Sequence, residues 1–251
     1  MKRNVVWHLR FSQQARWTAD LRRYVFSQIS NVHDILEVGC GTGAVLSDLP
    51  DFDAPGSPVR LTGLDLDPDF LQTASAGLPG ARFVLGDAHI LPFSTSSFDL
   101  AFTHYLLLWV KNPLGALQEC RRVVRPGGWV AAFAEPDYGG RIDYPAGLTI
   151  LGEAQEKSLQ RQGAEPRLGR QLKALFHQAG FKEIECGVIG AQWQSQPTSQ
   201  ELDLEWEVAL MDVQDDFSQA EISAFRELYF GPNNDAENIL FVPTFYAFGQ
   251  V

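Results

Sequence analysis

Apolar and polar positions alternate along this chain in two rhythms. Short apolar runs fall at 34–38, 60–65, 81–85, 98–103 and 128–134, and between them the segments 43–49, 68–76 and 113–124 carry apolar residues at helical spacing. Strands that alternate with helices in this way predict the βαβ rhythm of a mostly parallel sheet covered on both faces. Ahead of the first strand, Trp7, Phe11, Trp17, Leu21 and Tyr24 recur near helical spacing, with Arg10, Arg16, Arg22 and Arg23 between them. That pattern predicts an N-terminal cap helix within 1–30. Arg125-Pro126-Gly127-Gly128 ends one helix and turns into the next strand, because proline stops the helix and glycine takes the turn.

After Glu135 the rhythm breaks. A helix at 168–179 ends at Gly180, a strand follows at 182–193, two helices fall within 200–229, and an apolar run at 238–249 closes the chain. Two excursions, 137–165 and 196–232, lie between late sheet elements. Insertions there sit over the carboxyl edge of an open α/β sheet, where ligands bind. With the N-terminal helix they are expected to form a lid over one domain whose cofactor core is 31–136.

The chemistry concentrates at the end of the first strand. Ile35-Leu36-Glu37-Val38-Gly39-Cys40-Gly41-Thr42-Gly43 runs from an apolar stretch into three glycines at alternate positions. Glycine takes positive φ and lets a ligand approach the backbone, and the N–H groups of such a turn favour a polar or anionic group. Leu61-Thr62-Gly63-Leu64-Asp65 is a second strand ending in a carboxylate, the position that accepts from ribose hydroxyls in doubly wound folds. The turn with Ala44 also fits the dinucleotide pattern G-x-G-x-x-G/A. On these residues alone the nucleoside cofactor stays open.

Composition narrows the class. With 251 residues and 45% hydrophobic content the chain can bury a full core. It has no apolar run of the ~20 residues a bilayer span needs, and its N-terminal stretch is interrupted by His8 and Arg10. Three scattered cysteines suit a reducing compartment and suggest no metal site. The expectation is a cytoplasmic protein, off the membrane, acting as a monomer or homodimer. Residues 181–251 hold Lys182 and Arg226 against 13 acids, so the whole net charge of −11 lies there. An acidic face repels phosphate backbones and argues against nucleic acid. It is either a solubilising surface or a rim that favours neutral or cationic small molecules.

Further motifs follow in order: Gly63-Leu64-Asp65-Leu66-Asp67-Pro68, Gly86-Asp87-Ala88-His89-Ile90-Leu91-Pro92-Phe93, Ser97-Phe98-Asp99-Leu100-Ala101-Phe102 and Arg122-Val123-Val124-Arg125-Pro126-Gly127-Gly128. With the glycine turn they make the segment 34–136 resemble the class I S-adenosylmethionine-dependent methyltransferases, in the broad group that includes quinone-biosynthesis enzymes. The resemblance implies a doubly wound, Rossmann-like, seven-stranded sheet with an antiparallel last strand at 238–249. It implies S-adenosylmethionine as cofactor, S-adenosylhomocysteine as product and no metal. Carried over residue by residue, Gly39, Cys40 and Gly41 line the methionine portion through their backbone and Glu37 lies beneath its amino group. Asp65 takes the ribose hydroxyls, Leu66 packs on adenine, and Asp87 and Ala88 meet the adenine edge. Thr103 and His104 flank the sulfonium. Gln14 and Trp17 close over the cofactor from the N-terminal helix.

Methyl transfer from a sulfonium needs alignment, exclusion of water and sometimes removal of a proton. His104 and Asp137 are the candidate proton acceptors, with Glu135 beside the lid. Tyr105, Tyr138 and Trp193, with other aromatic residues, frame an apolar or cationic acceptor. No Asn/Asp-Pro-Pro-Tyr follows the fourth strand, where Thr103-His104-Tyr105-Leu106 stands, which disfavours base methylation of nucleic acids. The expected function is methyl transfer to a small molecule. Other chemistry on the same cofactor, cofactor binding without turnover, and a nicotinamide dehydrogenase stay as alternatives.

Overall fold

A computed structural model describes residues 3–29, 32–49, 59–189, 199–230 and 239–251. Its centre is a seven-stranded sheet. The strands are β1 (Asp34–Val38), β2 (Arg60–Asp65), β3 (Arg82–Leu85), β4 (Phe98–Thr103), β5 (Val124–Pro136), β7 (Lys182–Ile189) and β9 (Thr244–Gln250), in the order β3-β2-β1-β4-β5-β9-β7. The first five run parallel, and β9 is antiparallel to both β5 and β7. The chain winds outward from β1 to β3, then resumes at β4 on the other side. The switch point therefore lies between the carboxyl ends of β1 and β4.

Period-two alternation divides the core between the two faces. Ile35, Leu100, Phe102, Ala131 and Phe133 face one side, where α2 (Ala19–Gln28) brings Val25 and Phe26 and α3 (Pro68–Gly77) brings Leu71. Leu36, Val38, Ala101, Val130 and Ala132 face the other. There α4 (Pro113–Val123) brings Leu117 and Cys120, and α6 (Leu172–Gln178) brings Leu172 and Phe176. Asp67 and Asn112 cap α3 and α4 by accepting from backbone N–H groups of the first turn, and each is followed by proline at the first helical position.

Over the carboxyl edge lie α1 (Arg3–Trp17), α5 (Leu148–Arg161), α7 (Ser199–Val213) and α8 (Gln219–Phe230). The last three share their own apolar cluster, centred on Leu148, Leu151, Trp206, Phe225 and Tyr229. Several boundaries differ from the sequence expectation. The N-terminal cap is two helices, broken at Thr18, whose hydroxyl bonds back to the carbonyls of Gln14 and Ala15. The helix expected at 43–49 is a 3-10 turn at Leu46–Asp48. The closing run is two strands, because β8 (Ile239–Phe241) leaves the main sheet to pair with β6 (Ile142–Tyr144), a strand inside the first excursion. The break falls at Pro243, whose residue type cannot donate to a ladder. β7 is described to Ile189, and Trp193 lies outside the described residues.

Candidate active site

The glycine turn is held from β2. Leu64 O accepts from the N–H groups of Gly39 and Cys40 at 2.7 and 2.9 Å. Gly39 and Gly41 have φ of +77° and +51°. A Cβ on Gly41 would lie 2.9 Å from the Phe11 ring of α1, and one on Gly39 would lie 2.6 Å from Leu106. Both positions thus require glycine twice over, by conformation and by space. Asp65 braces the turn: Oδ2 accepts from Gly41 N at 2.7 Å and Oδ1 from Asp67 N at 2.9 Å. Burial raises its pKa against the opposing pull of these N–H groups. The Cys40 thiol is buried, which pushes it far above the ordinary thiol range, so Cys40 offers a ligand only its backbone.

Glu37 Oε2 and Thr103 Oγ1, and nearby Arg22 Nε, are buried without a partner among the described residues. Burial pushes the Glu37 carboxyl well above its usual range, although Arg22 draws it down. Arg22 is itself buried, donating to Ala15 O, to Thr18 Oγ1 and to Asp48. This guanidinium ties the two N-terminal helices to the 3-10 turn behind the glycines. His8 Nδ1 lies 2.8 Å from Thr42 Oγ1 and places α1 across the turn.

Farther along the edge, Asp87 Oδ1 accepts from the backbone and ring nitrogens of His89, at 2.9 and 2.7 Å. These bonds lower its pKa, and Oδ2 has no partner among the described residues. Ala88 is buried next to it, while Leu66 projects into the open beyond Asp65. Sequence analysis assigned nothing to His89, yet its ring orients Asp87 and accepts from Asn112 N at 3.3 Å.

The proton-acceptor candidates are differently placed. His104 Nε2 lies 2.9 Å from Thr18 Oγ1. Burial, with the Arg22 guanidinium nearby, pushes its ring down to about 3, so it is neutral at ordinary pH. The unfolded ring titrates near its ordinary value, so between about 6.5 and 3 the unfolded chain binds the extra proton. His104 therefore contributes stability above pH ~6.5 that is lost as pH falls toward 3, at up to about 1.4 kcal/mol per pH unit. A His104→Gln variant should show a shallower acid limb in urea-unfolding free energy against pH. An unchanged limb would place the ring in water.

Asp137 departs from its expected role. Its carboxylate pairs with Arg170 through both oxygens and accepts from Gly139 N at 3.0 Å. It is buried and committed to positioning this loop. Glu135 is fully buried. Oε1 accepts from Leu106 N and Leu107 N at 3.2 and 2.8 Å, and Oε2 from Leu108 N at 3.1 Å. It closes the turn after β4 and so sets Thr103, His104 and Tyr105. Tyr105 has φ of +51°, a left-handed conformation rare for an aromatic residue, held by its N–H on Ala134 O at 3.1 Å. Tyr138 follows Asp137 and is partly buried. Trp17 ends α1. It is 45% exposed, with the Arg10 guanidinium 4.7 Å above its ring. Gln14 meets this region through its backbone carbonyl, which accepts from Thr18, while its neighbour Gln13 is the buried one.

Among the described residues no group of three His, Cys, Asp or Glu could hold a metal ion, and no helix is long and apolar enough to cross a membrane.

Comparison with known proteins agrees with this geometry. A family described as a methyltransferase domain matches residues 36–132, the span from β1 into β5. An uncharacterized 37.1 kDa protein in transposon TN4556 of Streptomyces fradiae is 36% identical over 58% of this chain and 42% of its own length. The demethylmenaquinone methyltransferase of Staphylococcus epidermidis is 31% identical over 69% of this chain and 77% of its own. A solved S-adenosylmethionine-dependent methyltransferase from Methanosarcina mazei shares the fold. It superposes with a TM-score of 0.55 at 14% identity, over 91% of this chain and 97% of that one. The chain spans 42% and 57% of the length of the first two curated relatives it matches. A glycine turn braced by Asp65 at the switch point, five motifs in order and a relative matched over most of its length converge: this chain belongs to the class I S-adenosylmethionine-dependent methyltransferases.

Proposed function

We propose that the chain transfers a methyl group from S-adenosylmethionine to a small-molecule acceptor. The observation that carries this is that Glu37 Oε2 and Thr103 Oγ1, on either side of the switch point, are buried without a partner among the described residues. Buried polar atoms without partners are costly, and these flank the turn that Asp65 holds ready. They fit the amino group and the sulfonium end of the cofactor. When bound, S-adenosylmethionine supplies a methyl group on a positively charged sulfur, already activated for in-line displacement.

The chain's own residues then hold and orient. Asp65 accepts from the ribose hydroxyls with the lone pairs its backbone partners leave free. Gly39, Cys40 and Gly41 offer backbone along the methionine portion, Leu66 covers adenine, and Asp87 Oδ2 and the Ala88 N–H read its edge. Tyr105 and Tyr138 wall the acceptor side, and α1 with α5, α7 and α8 excludes water. His104 is a hydrogen-bonding wall residue, because a ring held at about 3 takes a proton poorly. One relative is named for demethylmenaquinone, which favours a small molecule over a macromolecule.

Calorimetric titration with S-adenosylmethionine, S-adenosylhomocysteine and NAD tests the proposal. Micromolar binding of the first two, without NAD, is expected. Binding of NAD alone, or of none, would overturn it. Loss of methyl label to any acceptor in a small-molecule panel then separates turnover from binding.

A further inference from the structure

Three phenols gather beneath the lid: Tyr105 after β4, Tyr138 after β5 and Tyr229 of α8. Burial raises all three above the ordinary phenol range, and the Arg10 guanidinium lies close enough to offset part of that rise at each. Its side chain is only 17% exposed. It stands over the Trp17 ring and spends one N–H on Gln13 Oε1 at 2.8 Å, with Glu205 Oε1 at 4.0 Å. Its other N–H groups have no partner among the described residues.

The other charged groups around these phenols already have hydrogen-bond or ion-pair partners. The acids close enough to oppose their ionisation are Glu135 at Tyr105, Asp212 at Tyr138 and Glu205 at Tyr229. Glu135 is filled by three backbone N–H groups. Asp212 accepts from Gln155 and Gln162, at 3.0 and 3.2 Å. Glu205 accepts from Gln13 at 3.3 Å and Tyr229 at 3.1 Å. The second cation, Arg141, gives its Nε to Asp143 and its Nη1 to Gln155.

Of the two cations Arg10 is the less compensated, since its carboxylate partner Glu205 is 4.0 Å away whereas Arg141 pairs with Asp143 at 2.8 Å, and it stands beside a reaction edge whose candidate bases are engaged. His104 is a weak acceptor, and both Glu135 and Asp137 are committed. Resting on the methyltransferase reading, we propose that the acceptor is an oxyanion, a carboxylate or an ionised phenol, received by Arg10. Arg10 is then a specificity-determining residue. The sulfonium loses its methyl group to the oxyanion; the C–S electron pair stays on sulfur, giving a neutral thioether, and the new O–C bond uses an oxygen lone pair. Charge balances with no proton to remove, which accounts for the missing base. Of the two readings of the chain's net charge, the acidic rim favoured a neutral or cationic acceptor and the solubilising surface favoured none. The acids behind that charge which reach this edge have their oxygens engaged.

The test is calorimetric titration of the protein saturated with S-adenosylhomocysteine. The probes are 2-naphthoate, 2-naphthamide, 2-naphthylmethylammonium and 4-nitrophenolate. At least one anion should bind about tenfold or more tighter than the amide and the ammonium, as a charge-assisted fork requires. Which anion binds distinguishes carboxylate from phenolate. Arg10→Met should bring anion and amide to parity while S-adenosylhomocysteine affinity stays within about threefold, and Arg10→Lys should fall between. Equal or tighter binding of the amide or ammonium overturns the inference. So does a preference that survives in Arg10→Met, or no anion binding at millimolar concentration. If Arg10→Met does not fold, the wild-type comparison still decides. Failure of S-adenosylhomocysteine to bind sinks the cofactor reading as well, whereas its binding without an anion preference sinks this inference alone.

Discussion

An Asp65→Ala variant is expected to bind S-adenosylhomocysteine at least about a hundredfold more weakly than the parent while remaining folded. Two charge-assisted hydrogen bonds to a ribose contribute about 1.5–3 kcal/mol each, so their joint loss corresponds to two or more decades in affinity. The substitution also frees Gly41 N and Asp67 N, which each donate to this carboxylate. The turn would then lose the brace that holds its left-handed glycines in place. Asp65→Asn separates the two effects. It keeps one acceptor oxygen for the turn and loses the charge, and should fall about tenfold short of the parent. Titration calorimetry on the three proteins checks this. Equal affinity in Asp65→Ala would show that the carboxylate serves the turn alone.

The largest expected effect on stability is at Glu135. Replacement by alanine leaves the N–H groups of Leu106, Leu107 and Leu108 without their acceptor, two of them in residues fully out of solvent. Each orphaned donor costs about 1–3 kcal/mol, so a loss of roughly 3–6 kcal/mol is expected. That corresponds to a fall in Tm of roughly 10 °C or more for a chain of this size. The pH dependence gives an independent check. Burial raises the Glu135 carboxyl to about 8 against the N–H groups that favour its charge. A pKa raised on folding means the native state holds the proton longer than the unfolded chain. The associated stability is full below the unfolded value near 4.5 and is lost as pH rises through about 8.

His104 acts in the opposite sense between about 3 and 6.5, so the window from about 6.5 to 8 is free of its contribution. Glu37 and Asp65, both raised, lean the same way as Glu135. Glu135→Gln cannot titrate. Its free energy of unfolding should therefore decline less between pH 6.5 and 8 than that of the parent, measured by urea denaturation. Identical slopes would mean that Glu135 is already ionised in the native state, held by its three donors.

Both predictions concern residues that sequence analysis met differently. Asp65 was legible because a carboxylate that ends the second strand, a fixed distance past a glycine turn, is a local pattern. Glu135 was visible only as an acid at a strand end and was grouped with Asp137 as a proton acceptor. Its role depends on three N–H groups nearly thirty residues earlier in the chain, which β4–β5 pairing brings beneath it. The ion pair of Asp137 was hidden for the same reason, since Arg170 lies 33 residues away. His89 was passed over although it is two residues from Asp87, because a local side-chain bond between exposed residues leaves no periodic trace. The broken N-terminal helix was hidden because Thr18 bonds to its own preceding carbonyls, and the apolar spacing of α1 and α2 continues across it.

By itself, the sequence determined the succession of parallel strands along the chain, the glycine turn, the carboxylate that ends the second strand and the family to which they belong. These are properties of short segments, where backbone freedom and alternation act within a few residues. Tertiary structure alone decided which charges are spent. Asp137, Glu135 and Glu205 neutralise or satisfy groups far from them in the chain, His104 is held neutral by burial beside Arg22, and Arg10 is left with donors to offer. Charge in a composition is only a sum. Its effect at a site depends on distance, burial and prior partners, and those arise when helices from distant parts of the chain pack against one another and the sheet.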